Sequence, residues 1–155
     1  MSAPSADARR RVFAIRDADD RLWAGQAAAD SAAAWGFDDR AAASIQIVVS
    51  ELASNVARHG CGGTVSVSMV ESPFEGIEIV ALDNGPGIAD VDACLVDGFS
   101  EGHMLCEEVT VHREGLGSGL GAVARLTDCL EITNRPGGGL AVTALRRLPA
   151  SGEAT

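Results

Sequence analysis

Hydrophobic residues recur along the chain with two spacings, every three to four positions in some segments and every second position in others. The helical spacing is clearest between residues 39 and 59, where Ile45, Val49 and Leu52 repeat on one face. Aspartates precede this segment and Gly60 follows it, as is typical of the start and stop of a helix. The pattern predicts a helix that begins at residue 38 or 39 and ends before the glycine.

The other segments are shorter or less regular. Residues 64–71 alternate between apolar and small polar side chains, which predicts a half-buried antiparallel strand. Residues 98–121 are glycine-rich at both ends without a clear period, and such a long stretch in a compact domain is usually functional. The remaining predicted elements are strands at residues 11–16, 77–82, 130–134 and 140–148, a glycine turn at residues 136–139, and helices at residues 17–34, 89–96 and 120–129.

The order of these elements is not a regular alternation of strand and helix. Because the strands pair mostly as hairpins, the helices must share one face of the sheet. We therefore predict an α+β fold, a two-layer α/β sandwich in which a mixed, mostly antiparallel sheet is covered on one face by helices. We expect one domain at residues 9–148, with small, polar and disordered termini at residues 1–8 and 149–155.

The composition supports one globular domain and excludes several function classes. The chain has 155 residues, of which 46% are hydrophobic, so it can bury a core. Its net charge of −10 argues against nucleic acid as a partner. All 12 basic residues are Arg, and the absence of Lys excludes a Walker A loop and the strand lysine of eukaryotic-type protein kinases.

The amino terminus and the cysteines indicate where the protein works. No apolar leader is present and no apolar run is long enough to span a membrane, so we expect a cytoplasmic protein without a membrane anchor. The four cysteines are widely spaced and form no C-x-x-C pair, which excludes zinc ribbons and thioredoxin motifs. We expect a reducing setting in which each cysteine is a small apolar packing group.

Three motifs carry candidate chemistry. Glu51, Asn55 and His59 form one stripe along the predicted helix, where an amide oxygen suits Mg²⁺ and a carboxylate suits proton transfer. Asp83 opens the sequence DNGPG, and its carboxylate can accept a hydrogen bond from an exocyclic amine such as that of adenine. The glycines of residues 115–121 can expose main-chain amides to phosphate at a helix start. Taken singly, these motifs also fit a solvated helix face, an ordinary turn and a glycine loop.

Together the motifs resemble a known family. SELASNVARHG is similar to the N box, and ALDNGPGIAD and EGLGSGLGAVARLTD are similar to the two glycine boxes of the GHKL superfamily of ATPases. The resemblance runs from about residue 11 to about residue 147. It is greatest to the bacterial anti-sigma-factor serine kinases of the stress-signalling switch type. It implies a Bergerat ATP-binding fold.

The resemblance also implies roles for individual residues. Glu51 would be the catalytic base toward a serine hydroxyl, Asn55 would bind the Mg²⁺ that bridges the phosphates, and Asp83 would contact N6 of adenine. His59 would have a packing or hydrogen-bonding role. The other implied cofactor-binding residues are Gly85 and Gly87 in the base pocket, Gly115, Gly117, Gly119 and Gly121 in the hinge of a phosphate-facing lid, and Arg125 at a position that is basic in the nearest relatives.

The implied function is that of an ATP- and Mg²⁺-dependent serine/threonine kinase that phosphorylates a STAS-domain antagonist protein. The alternative is a nucleotide-gated binding module that activates a PP2C-type phosphatase or sequesters a sigma factor without obligatory phosphotransfer. A homodimer is compatible with the resemblance. A histidine kinase fits less well, because the three histidines all lie inside the ATP-binding unit and 155 residues leave no room for a helical phospho-acceptor domain.

One segment departs from the family pattern. Residues 100–113 are longer than the lid that the resemblance predicts, and they bring several glutamates close to the phosphate site. The same residues contain His103, Cys106 and His112, which could be interpreted as metal ligands. Their spacing matches no closed zinc site and a fourth ligand is missing. We therefore interpret the segment as a lid rather than a metal centre.

Overall fold

The computed structural model describes residues 9–59, 62–71, 73–85, 95–96, 105–106, 110–111 and 113–148. Three helices and eight strands lie within this part of the chain. The helices are α1 (Asp20–Ala34), α2 (Asp39–His59) and α3 (Arg113–Leu126). The strands are β1 (Arg10–Ile15), β2 (Gly63–Val70), β3 (Gly76–Asp83), β4 (Leu95–Val96), β5 (Leu105–Cys106), β6 (Thr110–Val111), β7 (Cys129–Asn134) and β8 (Leu140–Arg147).

Six of the strands form one sheet in the order β1-β2-β3-β8-β7-β5, while β4 pairs with β6. Every strand pair in the described residues is antiparallel. The α+β prediction is confirmed, although the described part of the sheet is antiparallel rather than mixed. Since β3 and β8 lie in the middle of the sheet, the end of β3 is supported on both sides.

The core lies between one face of this sheet and the helices. Phe13, Val65 and Ala81 are register partners on adjacent strands, and all three are buried. The helix α2 contributes Ile45 and Leu52 to the same core, as the helical spacing predicts. The covered face therefore fixes the position of α2 against the centre of the sheet.

The start of α1 lies three residues later than predicted, because aspartate side chains stabilise a turn before it. The carboxylate of Asp20 accepts hydrogen bonds from the backbone N–H groups of Arg16 at 2.8 Å and Asp17 at 3.4 Å. The carboxylate of Asp17 accepts the N–H of Asp19 at 3.0 Å. Side chains that bond nearby amides in this way compete with helix formation.

The connection between α1 and α2 has the local chemistry that the sequence predicts. Gly36 has a φ of 109°, and the N–H of Phe37 donates to the carbonyl of Ala32 at 3.0 Å, which is a Schellman ending. Asp38 caps α2, since its carboxylate accepts the N–H of Ala41 at 2.8 Å. The predicted helix of residues 39–59 is confirmed.

The predicted boundaries of the third helix are wrong. It was expected at residues 120–129, but α3 starts at Arg113 and contains the whole glycine run. Glycine costs a helix about 1 kcal/mol relative to alanine, so sequence propensity argues against this start. After the C-terminal end of α3, the N–H of Asp128 donates to the carbonyl of Leu145 at 2.7 Å. The residues between α3 and β7 are therefore already bonded to β8.

Several other predictions fall partly or wholly outside the described residues. The helix expected at residues 89–96 is wrong for its last two residues, which form β4 by pairing with β6. Its residues 89–94, His103, His112 and the termini at residues 1–8 and 149–155 lie outside the description. In the described residues, no helix has the length and apolar composition needed to cross a membrane.

The prediction that every cysteine is a free packing group is wrong for Cys129. This residue is buried at the start of β7 and is disulfide-bonded. The β5–β7 register places Cys106 directly opposite Cys129.

Candidate functional site

The stripe of Glu51 and Asn55 lies on one flank of α2. A neighbouring flank faces α1, because the Ser50 hydroxyl donates to the carbonyl of Arg21 at 3.4 Å. A Cβ atom at Gly25 of α1 would also meet Ser50 Oγ. Glu51 follows Ser50 by about 100° around the helix, and Asn55 lies one turn further along the Glu51 stripe. Both side chains are half-buried.

Neither Glu51 nor Asn55 has a side-chain hydrogen bond or ion pair with the described residues. Within the described part of the chain, a half-buried carboxylate and a half-buried amide therefore have no side-chain partner. His59 is the last residue of α2, which confirms its place on the predicted helix. Among the described residues, no group of three or more His, Cys, Asp or Glu side chains is arranged to hold a metal ion.

Asp83 ends the central strand β3 and is only 8% exposed. Its Oδ1 atom accepts the backbone N–H of Gly85 at 3.0 Å and the backbone N–H of Leu140 at 2.9 Å. Two amide donors fix the orientation of the carboxylate. Both bonds end on Oδ1, and no described residue bonds Oδ2.

The main chain around Asp83 is held by three further groups. Arg135 donates from Nη1 to the carbonyl of Asp83 at 2.7 Å. The N–H of Asn84 donates to the carbonyl of Gly62 at 3.1 Å, which ties the DNGPG loop to the start of β2. A Cβ atom at Gly139 would overlap the carbonyl oxygen of Asp83, so the β7–β8 turn packs directly on this residue.

The contribution of this turn was missed by the sequence reasoning, which predicted only a hairpin connection. Gly137, Gly138 and Gly139 all have positive φ values, of 86°, 114° and 96°. Two backbone bonds close the turn, from Arg135 N–H to the carbonyl of Gly139 at 2.9 Å and from Gly138 N–H to the carbonyl of Arg135 at 3.1 Å. Three successive glycines exceed the needs of a hairpin and could have signalled a close approach.

The predicted glycine residues occupy two different environments. Gly85 is buried beside Asp83, whereas Gly87 lies outside the described residues. Gly115, Gly117, Gly119 and Gly121 all lie in α3 rather than in a loop before it. The first N–H groups of a helix have no acceptor within it, so this segment still presents main-chain donors at its start. The phosphate-binding role of these glycines stays a prediction.

Arg125 is exposed in the last turn of α3, one helical turn after Gly121. A Cβ atom at Gly121 would lie 3.4 Å from Nη1 of Arg125, so the guanidinium folds back along the glycine. The predicted basic residue and the end of the glycine run are therefore neighbours.

The three candidate motifs belong to elements that touch one another. The helix α2, which carries Glu51 and Asn55, packs against α3 and against β3. Asp83 ends β3, and α3 contains the glycine run. The elements that carry the three candidate motifs therefore pack as neighbours of α2.

Known proteins are similar to this chain in sequence. The family described as the histidine kinase-like ATPase domain matches residues 16–145. The serine/threonine-protein kinase RsbT of Bacillus subtilis (strain 168) is 32% identical over 114 residues, which covers 73% of this chain and 77% of that protein. The matched family range includes α2, Asp83, α3 and the β7–β8 turn.

Proposed function

The chain belongs to the family of histidine kinase-like ATPase domains, and from that premise we propose that it is an ATP-dependent protein serine/threonine kinase of the partner-switching type. The substrate is a serine or threonine of a small STAS-domain antagonist protein, and the products are ADP and the phosphorylated protein. The similarity to a relative that is named as a serine/threonine-protein kinase supports this reaction class.

Asp83 is the adenine-recognition group in this proposal. Its carboxylate is buried and its Oδ1 atom is already bonded to two amides, so Oδ2 accepts the exocyclic amine of the base. A hydrogen bond to a charged acceptor in a buried site is stronger than one in water. Gly85 lies next to it and leaves the loop backbone close to the ring.

Glu51 is the general base. The observation that carries the kinase proposal is its half-buried carboxylate, which no described residue bonds, one turn before Asn55. The carboxylate takes the proton of the serine hydroxyl as the hydroxyl oxygen forms a bond to the γ-phosphorus. The bond between that phosphorus and the bridging oxygen breaks, and ADP leaves. Phosphoryl transfer depends mostly on positioning and charge, so one base is sufficient.

Asn55 holds Mg²⁺ in this proposal. Mg²⁺ is usually bound by one or two protein oxygens together with phosphates and waters, and the half-buried amide of Asn55 supplies one such oxygen. When bound, the ion neutralises phosphate charge. We assign the first N–H groups of α3, which include that of Gly115, to the phosphate side of the same nucleotide, where main-chain amides suit an anion. The phosphate-binding roles of Gly117, Gly119, Gly121 and Arg125 stay predictions.

The test uses the purified full chain, γ-labelled Mg-ATP and a lysate of the host. We expect one small protein to gain acid-stable phosphoserine or phosphothreonine with the wild type and not with Glu51→Gln. Glu78→Gln is the matched control, because Glu78 is also half-buried but lies on the other face of β3 from the buried Ile77 and Ile79. This control variant should label the partner as well as the wild type does.

Two results would contradict the proposal in different ways. Undiminished phosphoryl transfer by the Glu51→Gln variant would show that Glu51 is not the base. Absence of any label with the wild type, while ATP still binds, would favour the nucleotide-gated binding module.

A further inference from the structure

We propose, relying on the proposed function for the identity of the ligand, that Arg135 and Gly139 of the β7–β8 turn position the adenine subsite. They fix the carboxylate of Asp83 so that one oxygen faces the base. Both are positioning residues, because they act through Asp83. The consequence is selectivity for a purine that carries an amine at C6 over one that carries a carbonyl there.

The first step lies at the end of the β3–β8 ladder. The last register pair of these strands is Leu82 with Ala141, so Asp83 lies beyond the regular pairing. Its carbonyl instead accepts Nη1 of Arg135, and its carboxylate accepts the N–H of Leu140. Because buried polar groups are destabilising without partners, these two bonds select a single position for Asp83.

The second step is the close approach of the turn. Gly139 has a φ of 96°, and any side chain there would overlap the carbonyl of Asp83. Gly138 is also near the loop, since its Cβ atom would lie 3.9 Å from the carbonyl of Gly85. The backbone of the turn therefore packs directly against Asp83 and the loop that follows it.

The third step is the consequence for recognition. Oδ1 accepts two amides, and among the described residues Oδ2 accepts none, so Oδ2 is the acceptor that we assign to the base. The 6-amino group of adenine satisfies that oxygen, whereas the 6-carbonyl of guanine opposes it. A site that is built around one buried hydrogen bond rejects a ligand that lacks the partner group. Moving the turn should therefore weaken adenine binding and reduce discrimination against guanine.

Two glycines of the same turn provide a matched pair of variants. Gly139→Ala and Gly137→Ala place the same methyl group at similar positive φ values, so the backbone strain is similar. A Cβ atom at Gly137 meets nothing within 4 Å, whereas one at Gly139 meets Asp83. The difference between the two variants isolates the contact with Asp83.

Titration calorimetry with ATP and GTP tests the inference on the full chain. Gly139→Ala should raise the Kd for ATP about tenfold or more and lower the preference for ATP over GTP, while Gly137→Ala stays within about twofold of the wild type. Arg135→Met should raise the Kd for ATP several-fold, and Arg135→Lys should restore part of the affinity. Arg147→Met, which removes a guanidinium stacked on Phe74 instead, should have no effect. Equal nucleotide affinities in the two glycine variants would overturn the inference.

A measurement without nucleotide separates this inference from the proposed function. Amide hydrogen exchange reports the bond between Gly85 N–H and Asp83, and exchange at Gly85 should be faster in Gly139→Ala and unchanged in Gly137→Ala. If the wild type binds no nucleotide, the proposed function fails while the exchange data still test the positioning. Equal protection of Gly85 in both variants would contradict it. If Gly139→Ala fails to fold, Arg135→Met replaces it in the comparison with Gly137→Ala. The Arg135→Met variant loses the side-chain bond to Asp83 but keeps the backbone bond from residue 135 to Gly139 that closes the turn.

Discussion

The two acidic side chains of the site are held in opposite ways. Asp83 is buried at the end of a central strand, where its Oδ1 atom accepts two amides and its carbonyl accepts a guanidinium. Glu51 is half-buried on a helix, and its carboxylate has no hydrogen-bond partner among the described residues. The fold therefore orients the proposed base-recognition group in advance, whereas none of the described residues orients the proposed proton acceptor.

This difference is consistent with the two tasks that we propose. Recognition of a rigid base requires one fixed hydrogen-bond direction, and preorganisation lowers the ordering cost of binding. Proton transfer involves a hydroxyl that arrives on a second protein, so the geometry around Glu51 becomes complete only in the complex. Substitutions of the preorganised group, of a ligand-dependent group and of a carboxylate outside the site should therefore change ATP affinity by very different amounts.

The largest effect is expected from Asp83→Asn. The amide oxygen can still accept the two backbone N–H groups, but an NH₂ group then replaces the oxygen that faces the base. We expect the Kd for ATP to rise about 10- to 100-fold, since a hydrogen bond to a charged group is lost and two donors oppose each other. Calorimetry with ATP measures this change. Asp128→Asn is the control, since Asp128 is an exposed aspartate that accepts the N–H of Arg147, and affinity losses of equal size in both variants would contradict the assignment.

A smaller effect is expected from Asn55→Ala. Removal of one metal ligand should reduce the affinity for Mg-ATP about tenfold and leave the affinity in the presence of EDTA unchanged. ATP titrations with and without Mg²⁺ provide the measurement. Gln46→Ala is the control, because it removes an amide from the α1-facing flank of the same helix. This variant should keep the increase in ATP affinity that Mg²⁺ gives. If Asn55→Ala also preserved that gain, Asn55 would not be the ligand.

The smallest effect is expected from Asp20→Asn, which tests a carboxylate outside the site. Hydrogen bonds from the Trp23 indole and the Arg16 backbone lower the pKa of Asp20 below its ordinary value. A lowered pKa stabilises the folded state above the unfolded pKa, and this stabilisation is lost as the pH falls through the folded value. The variant should therefore unfold slightly earlier in urea at neutral pH, with a difference that disappears below about pH 4. ATP affinity should not change, and a loss of affinity would show that Asp20 is coupled to the site.

The sequence predicted the parts of the site that depend on local patterns. The helical spacing of Ile45, Val49 and Leu52 identified α2, and the position of Glu51 and Asn55 on one stripe follows from helix geometry alone. A strand is predicted at residues 77–82, and β3 covers these residues and ends one residue later, at Asp83. These features need no knowledge of distant neighbours.

The support of Asp83 could not be predicted in the same way. Arg135 and Leu140 follow Asp83 by 52 and 57 positions, so their contacts depend on the register between β3 and β8. The start of α3 was wrong for a related reason, because glycine propensity opposes a helix there and tertiary packing outweighs propensity. Distant pairing and packing are the properties that a single sequence shows least.

The position of β8 beside β3 also has a consequence for the order in which the protein is made. Leu140 leaves the ribosome 57 residues after Asp83, and until then the carboxylate lacks one of its two amide donors. A nascent chain can form α2, which has local contacts, well before it can form the β3–β8 pair. The proposed adenine-recognition group should therefore reach its final geometry only when synthesis reaches the last described strand.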